Sequence, residues 1–364
     1  MKILVAAGAS GGHIFPALSF LAALKEKEKA IDILLVLPER SRKNVSLPEG
    51  SEVKYLSISA LRLAFDYQNL LAVAGLLKGS LESIFVLAQY KPDAVVGFGG
   101  IESLPLVFFG WFFRIKTLLH EQNVIPGRAN RLLAKFVDRV AVSFVETKDY
   151  LKISPEKVVV TGNPIRKELR VVDKAEASKF FGFQEDKFTV LVMGGSQGSQ
   201  HVNAGALKAF AYFKNLQNLQ VIHLAGIKEN QLIENMYNSL GINARVYSFL
   251  NAMEFAYSAA DVAITRAGAT TVTELIFFKL PAILVPYPYA YQHQVANAKV
   301  LERKGCALII KDQELGTDVL SLALNSVIKN CGMLCSMRSQ FRQFPENNAA
   351  TLLVKEVMAL SYNK

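Results

Sequence analysis

Cysteine is scarce in this chain of 364 residues: Cys306, Cys331 and Cys335 make up the whole complement. An odd, small set without paired metal spacing excludes a disulfide framework and a cysteine-built metal centre, and it points to a reducing compartment. Cys331 and Cys335, four apart on an expected helix, read as core or boundary thiols. Long apolar runs are missing too, since none approaches the ~20 residues that span a bilayer. The start of the chain, one lysine and a short apolar run leading into glycines, reads as a first strand and not as a secretion signal. The expected location is therefore the cytoplasm. A charged tail is also absent. The formal net charge is +10, but 20 Lys and Arg stand against 15 Asp and Glu before Pro164, and 21 against 16 from there on. An excess spread so evenly suits anionic small molecules or an anionic membrane surface and speaks against a nucleic-acid arm. No Asp-x-Asp metal motif stands at a plausible strand end.

What is present is α/β rhythm, repeated. Residues 2–7 form a buried apolar run followed by Gly8-Ala9-Ser10-Gly11-Gly12 and an expected helix over 14–24. Residues 188–193 are followed by Gly194-Gly195-Ser196-Gln197-Gly198 and an expected helix over 202–210. The same strand, Gly-x-Ser-x-Gly turn and helix occur about half a chain apart, which predicts two Rossmann-like domains. Further strands are expected at 33–37, 93–98, 117–120, 139–144 and 158–161, then at 220–224, 245–249, 261–265, 282–285 and 307–310. At this length two domains of roughly 150–200 residues are expected, over 1–164 and 165–345. Gly162-Asn163-Pro164-Ile165 reads as the hinge. The apolar-periodic helix within 346–364 is expected to return to the first domain.

The stretch 261–274, D-V-A-I-T-R-A-G-A-T-T-V-T-E, reads as strand, glycine turn and helix start. Unpaired amides at such a helix end favour a pyrophosphate, and Glu274 on the expected first turn can accept hydrogen bonds from ribose hydroxyls. An ordinary strand-to-helix turn, with Glu274 complementing the helix dipole, fits the same residues. Polar residues at strand ends also gather at 10–13, 120–123, 196–198 and 292–297; in two α/β domains these loops would face one another across a cleft. Residues 70–90 read as one long amphipathic helix. The run L-P-L-V-F-F-G-W-F-F at 104–113, with Arg114 and Lys116 after it, fits either an interfacial patch or a buried crossover helix.

Six motifs in order carry a resemblance: G-A-S-G-G-H-I-F-P-A-L (8–18), H-E-Q-N (120–123), G-N-P-I-R (162–166), G-G-S-Q-G (194–198), R-A-G-A-T-T-V-T-E (266–274) and H-Q-V-A-N-A (293–298). From residue 3 to beyond 310 the chain resembles the MurG family of peripheral membrane glycosyltransferases. The resemblance implies a GT-B fold, two Rossmann-like α/β domains with parallel sheets facing across a cleft. It implies transfer of N-acetylglucosamine, with inversion, from UDP-N-acetylglucosamine to the 4-hydroxyl of the muramoyl sugar of lipid I, giving lipid II for peptidoglycan. Carried over by position, donor contacts fall on Ser10, Gly11, Gly12, Asn123, Arg166, Ser196, Leu250, Ala269, Thr270, Thr271, Val272, Thr273, Glu274 and Gln294. Glu274 would hold the ribose hydroxyls, and the helix start at 269–271 the pyrophosphate. His13 is the candidate general base, with Glu121 second, because a neutral imidazole can take a proton near pH 7. His120 reads as loop support, and His201 and His223 carry no assigned role.

The resemblance further implies the cytoplasmic face of the inner membrane as the working surface, cell-wall synthesis or division proteins as further partners, and no nucleic acid. Helix and cationic groups can replace a cation at the pyrophosphate, so no obligatory metal is expected, and a loosely associated Mg²⁺ is compatible. Two positions depart from the family pattern. Ser10 replaces a threonine, and Ile101 follows Gly99-Gly100 where the family carries tyrosine, which puts an acceptor contact there in doubt; Glu102 and Ser103 stand next to it. Three readings compete with the transferase: a GT-B enzyme acting on another lipid, a UDP-N-acetylglucosamine epimerase, and a non-catalytic sugar-nucleotide-binding scaffold.

Overall fold

The computed structural model describes residues 1–28, 30–42, 52–57, 67–195, 198–213, 218–289 and 292–362, with only the backbone described at 67–74 and 76. The chain divides into two compact units, residues 1–167 together with 347–364, and residues 168–346.

In the first unit, β1 (Lys2–Ala6), β2 (Asp32–Pro38), β3 (Glu52–Leu56), β4 (Ala94–Gly97), β5 (Lys116–Glu121), β6 (Arg139–Val142) and β7 (Val158–Val160) pair in parallel in the order β3-β2-β1-β4-β5-β6-β7. Most of these strands are apolar at consecutive positions because helices cover both faces of the sheet. Ile3, Val5 and Leu35 pack under α1 (Gly11–Lys27) and the C-terminal helix (Ala349–Tyr362). Leu4, Ala6 and Val36 pack under α2 (Tyr67–Tyr90), α3 (Leu104–Phe112) and α4 (Arg128–Leu133). The C-terminal helix lies against α1. The edge strand β3 has no counterpart among the strands expected from the sequence. Its E-V-K-Y-L buries only Leu56 fully, so it lacks the apolar run that marks the others.

In the second unit, β8 (Phe188–Met193), β9 (Leu219–Leu224), β10 (Asn243–Tyr247), β11 (Val262–Thr265), β12 (Ala282–Leu284) and β13 (Ala307–Ile309) form a parallel sheet in the order β10-β9-β8-β11-β12-β13. Its helices are α5 (Lys174–Phe181), α6 (Gln200–Ala211), α7 (Asn230–Ser239), α8 (Met253–Ala259), α9 (Ala269–Phe278), α10 (His293–Arg303), α11 (Val319–Lys329) and α12 (Cys331–Gln340). Cys331 and Cys335 are exposed on α12, contrary to the expected core or boundary position, because that helix turns Met337 inward instead.

Each sheet reverses its winding once, at β1/β4 in the first and β8/β11 in the second. Ligands of open parallel sheets collect at such a point, outside the carboxyl ends of the strands. β11 is fixed in depth by Asp261, whose buried carboxylate takes Lys174 Nζ (2.8 Å), Arg338 Nη2 (3.1 Å) and the Thr189 amide (2.9 Å). One side chain thus ties α5, α12 and β8 to the strand that leads into α9. Asp261→Ala strands a buried amide and releases both cations, so it is expected to cost about 2–3 kcal/mol. Urea denaturation checks this: the midpoint falls with an unchanged slope, whereas a wild-type midpoint would contradict it.

Candidate active site

The first-unit site begins where two backbones meet. β1 and β4 pair Ala6 with Gly97, and the following loops touch through Gly8 N–H to Gly99 O at 2.9 Å. A Cβ on Gly100, whose φ is +85°, would stand 2.7 Å from Gly8 Cα, so only glycine fits. Helix α1 starts at Gly11, three residues earlier than its apolar pattern suggests, with Ser10 at the N-cap in extended conformation. Ser10 makes no side-chain cap; its Oγ lies 3.0 Å from His13 Nδ1 instead. Gly11 and Gly12 therefore belong to the first helical turn, and His13 projects from that turn and not from a loop. Among the described residues Nε2 of His13 has no hydrogen-bond partner. Burial holds the imidazole below its ordinary range, and the nearby Glu102 charge works in the opposite direction.

Glu121 ends β5 fully buried. Its Oε1 accepts from the amide (2.8 Å) and Nδ2 (3.2 Å) of Asn123, and its Oε2 from the Gly127 amide (3.0 Å) and Asn130 Nδ2 (2.7 Å). Burial raises its pKa while these hydrogen bonds act to lower it. With both oxygens occupied, Glu121 is built to shape the 121–130 loop and to hold Asn123. His120 donates from Nε2 to Gly162 O (3.0 Å), which fixes the tautomer, and its Nδ1 accepts from Gln122 (3.1 Å). Burial lowers its pKa to about 4, so this link between β5 and the 162–166 motif is neutral at pH 7. Arg166 lies over the Phe15 ring on α1 at 5.0 Å, and its buried Nε has no hydrogen-bond partner among the described residues.

In the second unit β11 runs into Arg266, Ala267 and Gly268 and then α9. Gly268 is the N-cap and offers no side-chain acceptor. Val272 N–H is the first to bond back, to Gly268 O at 2.9 Å, so the amides of residues 269–271 precede the ladder. Thr270 Oγ1 is buried with no hydrogen-bond partner among the described residues. Val272 and Thr273, expected among the donor contacts, are both buried. The Val272 amide is already bonded within the helix, and Thr273 Oγ1 donates to Ala269 O (3.0 Å). Those two residues belong to the packing of α9.

Glu274 is the sixth residue of α9 and so stands in the second turn, not the first, because the helix begins at Ala269. A dipole-complementing role is thereby removed. Its carboxylate is buried and accepts from Tyr257 OH at 2.6 Å, while Tyr257 stacks on Phe278. Gln294 Oε1 accepts from the amides of Ala267 (3.1 Å) and Tyr287 (2.9 Å), fastening α10 to the loop before α9. Leu250 is buried just beyond β10. Ser196 lies outside the described residues.

Sequence reasoning missed the supports. Arg266 is buried and engages Asp312, Ser199 Oγ (2.8 Å) and Val285 O (3.1 Å), so it braces the loop and is committed to protein partners. Burial works upward on the Asp312 carboxyl, but hydrogen bonds from His201 and Arg266 and the Arg266 charge outweigh it, leaving its pKa below the ordinary value. His201, given no role from the sequence, is thus the outer end of this brace, 2.8 Å from Asp312. Asn130, Tyr257 and Asp312 come from elements distant in sequence, and no local pattern marks them. Among the described residues no group of three or more His, Cys, Asp or Glu is placed to hold a metal ion.

Comparison with known proteins agrees with this arrangement along the whole chain. Residues 3–142 match the glycosyltransferase family 28 N-terminal domain and residues 189–353 the glycosyltransferase family 28 C-terminal domain. A curated relative from Thermodesulfovibrio yellowstonii, named UDP-N-acetylglucosamine--N-acetylmuramyl-(pentapeptide) pyrophosphoryl-undecaprenol N-acetylglucosamine transferase, is 34% identical over 367 residues, covering 100% of both chains. The crystal structure of Acinetobacter baumannii MurG superposes with a TM-score of 0.76 at 26% identity, covering 99% of this chain and 100% of that one. A Neisseria meningitidis UDP-GlcNAc 2-epimerase bound to UDP-GlcNAc reaches 0.69 at 14% identity, covering 99% and 100%, which is a likeness of fold alone. The chain belongs to the MurG family, within glycosyltransferase family 28.

Proposed function

We propose that this chain moves N-acetylglucosamine from UDP-N-acetylglucosamine to the 4-hydroxyl of the muramoyl sugar of lipid I, forming lipid II. The observation that carries the reading is the 34% identity, along the full length of both chains, with a relative named for that transfer. In the second unit, Ala269, Thr270 and Thr271 supply a helix start for the pyrophosphate, and Glu274, held by Tyr257, takes the ribose hydroxyls. Leu250 meets the uracil, Gln294 offers its amide nitrogen to sugar hydroxyls, and Ser196 completes this set by position. In the first unit Ser10, Gly11, Gly12, Asn123 and Arg166 line the approach of the transferred sugar.

In a single displacement the acceptor oxygen forms a bond to C1 while the C1–O bond to the β-phosphate breaks, and UDP leaves with the electron pair. His13 Nε2 takes the hydroxyl proton; a neutral imidazole is ready for that at pH 7. The leaving charge is met by the α9 helix start, so a protein-bound metal is not required, and Mg²⁺ associates loosely at most.

The acceptor is lipid-linked, and the first unit carries a surface suited to it. Leu77, Leu81 and Phe85, each about two-thirds exposed, stand at four-residue spacing on α2, and Phe112 and Phe113 are exposed at the end of α3, which packs on α2. Leu106, Val107 and Gly110 of the same α3 are buried, so the 104–113 run serves both as crossover helix and as surface. Lys54, over the Phe85 ring at 5.4 Å, adds positive charge. We read this as peripheral attachment to the anionic cytoplasmic face of the inner membrane, where cell-wall synthesis or division proteins are natural neighbours. Among the described residues no single helix is long and apolar enough to cross a membrane.

UDP release measured with and without a lipid I analogue tests the transfer. Acceptor-dependent release with a lipid-linked disaccharide, largely retained in EDTA, is expected. Release without acceptor would mark an epimerase or hydrolase, and binding without turnover a scaffold. For the membrane surface, Leu81→Glu with Phe85→Glu is expected to abolish co-sedimentation with phosphatidylglycerol vesicles at low salt while UDP affinity stays unchanged. Wild-type sedimentation by that variant would remove the assignment.

A further inference from the structure

Glu102 belongs to none of the six motifs. It follows Ile101 in the 3-10 turn Ile101–Ser103 after β4, and its side chain is 4% exposed. The carboxylate folds back over the glycine contact. A Cβ on Gly8 would lie 3.2 Å from Glu102 Oε2 and 2.7 Å from His13 Nδ1, so the two side chains crowd the same face of Gly8. The other oxygen, Oε1, is ion-paired with Arg40 Nη2 from the turn Glu39–Ser41 after β2. Arg40 itself is 57% exposed. A buried carboxylate is thus presented to His13 on its Nδ1 side, with an accessible cation partly neutralising it from behind.

We propose that Glu102, tuned by Arg40, is a positioning residue for His13: it holds the proton on Nδ1, leaves Nε2 as the acceptor, and stabilises the imidazolium formed when the acceptor hydroxyl gives up its proton. This rests on the reading of His13 as the base. Because the carboxylate is out of water, its field on the ring is screened far less than that of a surface charge. Ser10 Oγ faces Nδ1 from the N-cap and can accept the same proton. Arg166, over Phe15, adds a cation beside the start of α1. On the C-terminal helix packed along α1, Glu356 is directed to Arg139. Burial and the Glu102 charge act on the His13 pKa in opposite senses, so the carboxylate restores basicity that burial removes.

The sign follows directly. Neutral His13 is the active form, so its pKa sets the acidic limb of the pH–rate profile. Removing Glu102 lowers that pKa and moves the limb to lower pH; removing Arg40 unmasks Glu102 and moves it to higher pH. The experiment is kcat/KM for a lipid I analogue at saturating donor, from pH 5 to 9, for wild type, Glu102→Gln, Arg40→Gln and His13→Gln, with UDP affinity and melting temperature as controls on folding. Glu102→Gln is expected to shift the limb down by roughly 0.5–1 pH unit and to lower the plateau about tenfold, and Arg40→Gln to shift it up by roughly 0.5 unit. His13→Gln should lose at least about a hundredfold and the limb with it. An unmoved limb in Glu102→Gln, or shifts of the same sign in both variants, overturns the proposal while leaving His13 as the base. A wild-type profile in His13→Gln overturns the base and the proposal together. If Glu102→Gln folds poorly, the direction of the Arg40→Gln shift decides alone.

Discussion

The hydrogen bond from Gly8 N–H to Gly99 O, and the approach of the Gly8 and Gly100 backbones behind it, is the contact on which the first unit's chemistry depends. The parallel register of β1 and β4 brings two loops out of adjacent strands at the one place where the sheet reverses its winding. Neither loop could close on the other with a side chain in between. Once they meet, Ser10 takes the N-cap position of α1 with its hydroxyl turned to His13, His13 is carried on the first turn, and Glu102 is delivered to the same spot. The second unit solves the same problem with a different brace. A Cβ on Gly194 would fall 2.2 Å from Ser199 N, and Ser199 is in turn bound to Arg266 across the β8/β11 switch point.

Buried carboxylates define the working parts, and their partners sort them by task. Burying a carboxylate is costly unless its oxygens are satisfied, so the donors around each one reveal its purpose. Asp261 and Asp312 are enclosed by cations and amides and hold elements together. Glu121 is enclosed by amides and carboxamides and shapes a loop. Glu102 and Glu274 differ, the first crowding the same face of Gly8 as His13 and the second lying in the second turn of α9.

Much of the fold was legible from the sequence. The central strands bury both faces and so appear as largely apolar runs, of which 188–193 coincides with β8. β3 escaped because an edge strand with Glu52 and Lys54 has no such run. α1 starts earlier than its sequence pattern predicts, because glycines argue for a turn whereas here Gly11 and Gly12 enter the helix behind Ser10. Glu274 was placed a turn early for the converse reason, since α9 begins only after Gly268. Motif residues at strand ends could be found by position, but what orients them could not. Tyr257 precedes Glu274 by 17 residues and Asp312 follows Arg266 by 46, and only the folded sheet brings such pairs together.

The claim at the centre of this account is that Glu274 reads the ribose of a uridine diphosphate sugar from within α9. Titration calorimetry of UDP-N-acetylglucosamine and of a lipid I analogue against wild type and Glu274→Ala tests it most directly. The account predicts a loss of at least about tenfold in donor affinity, as expected for a charged hydrogen-bond acceptor removed from a buried site, with acceptor affinity unchanged. Equal losses for donor and acceptor, or an undiminished donor affinity, would contradict it.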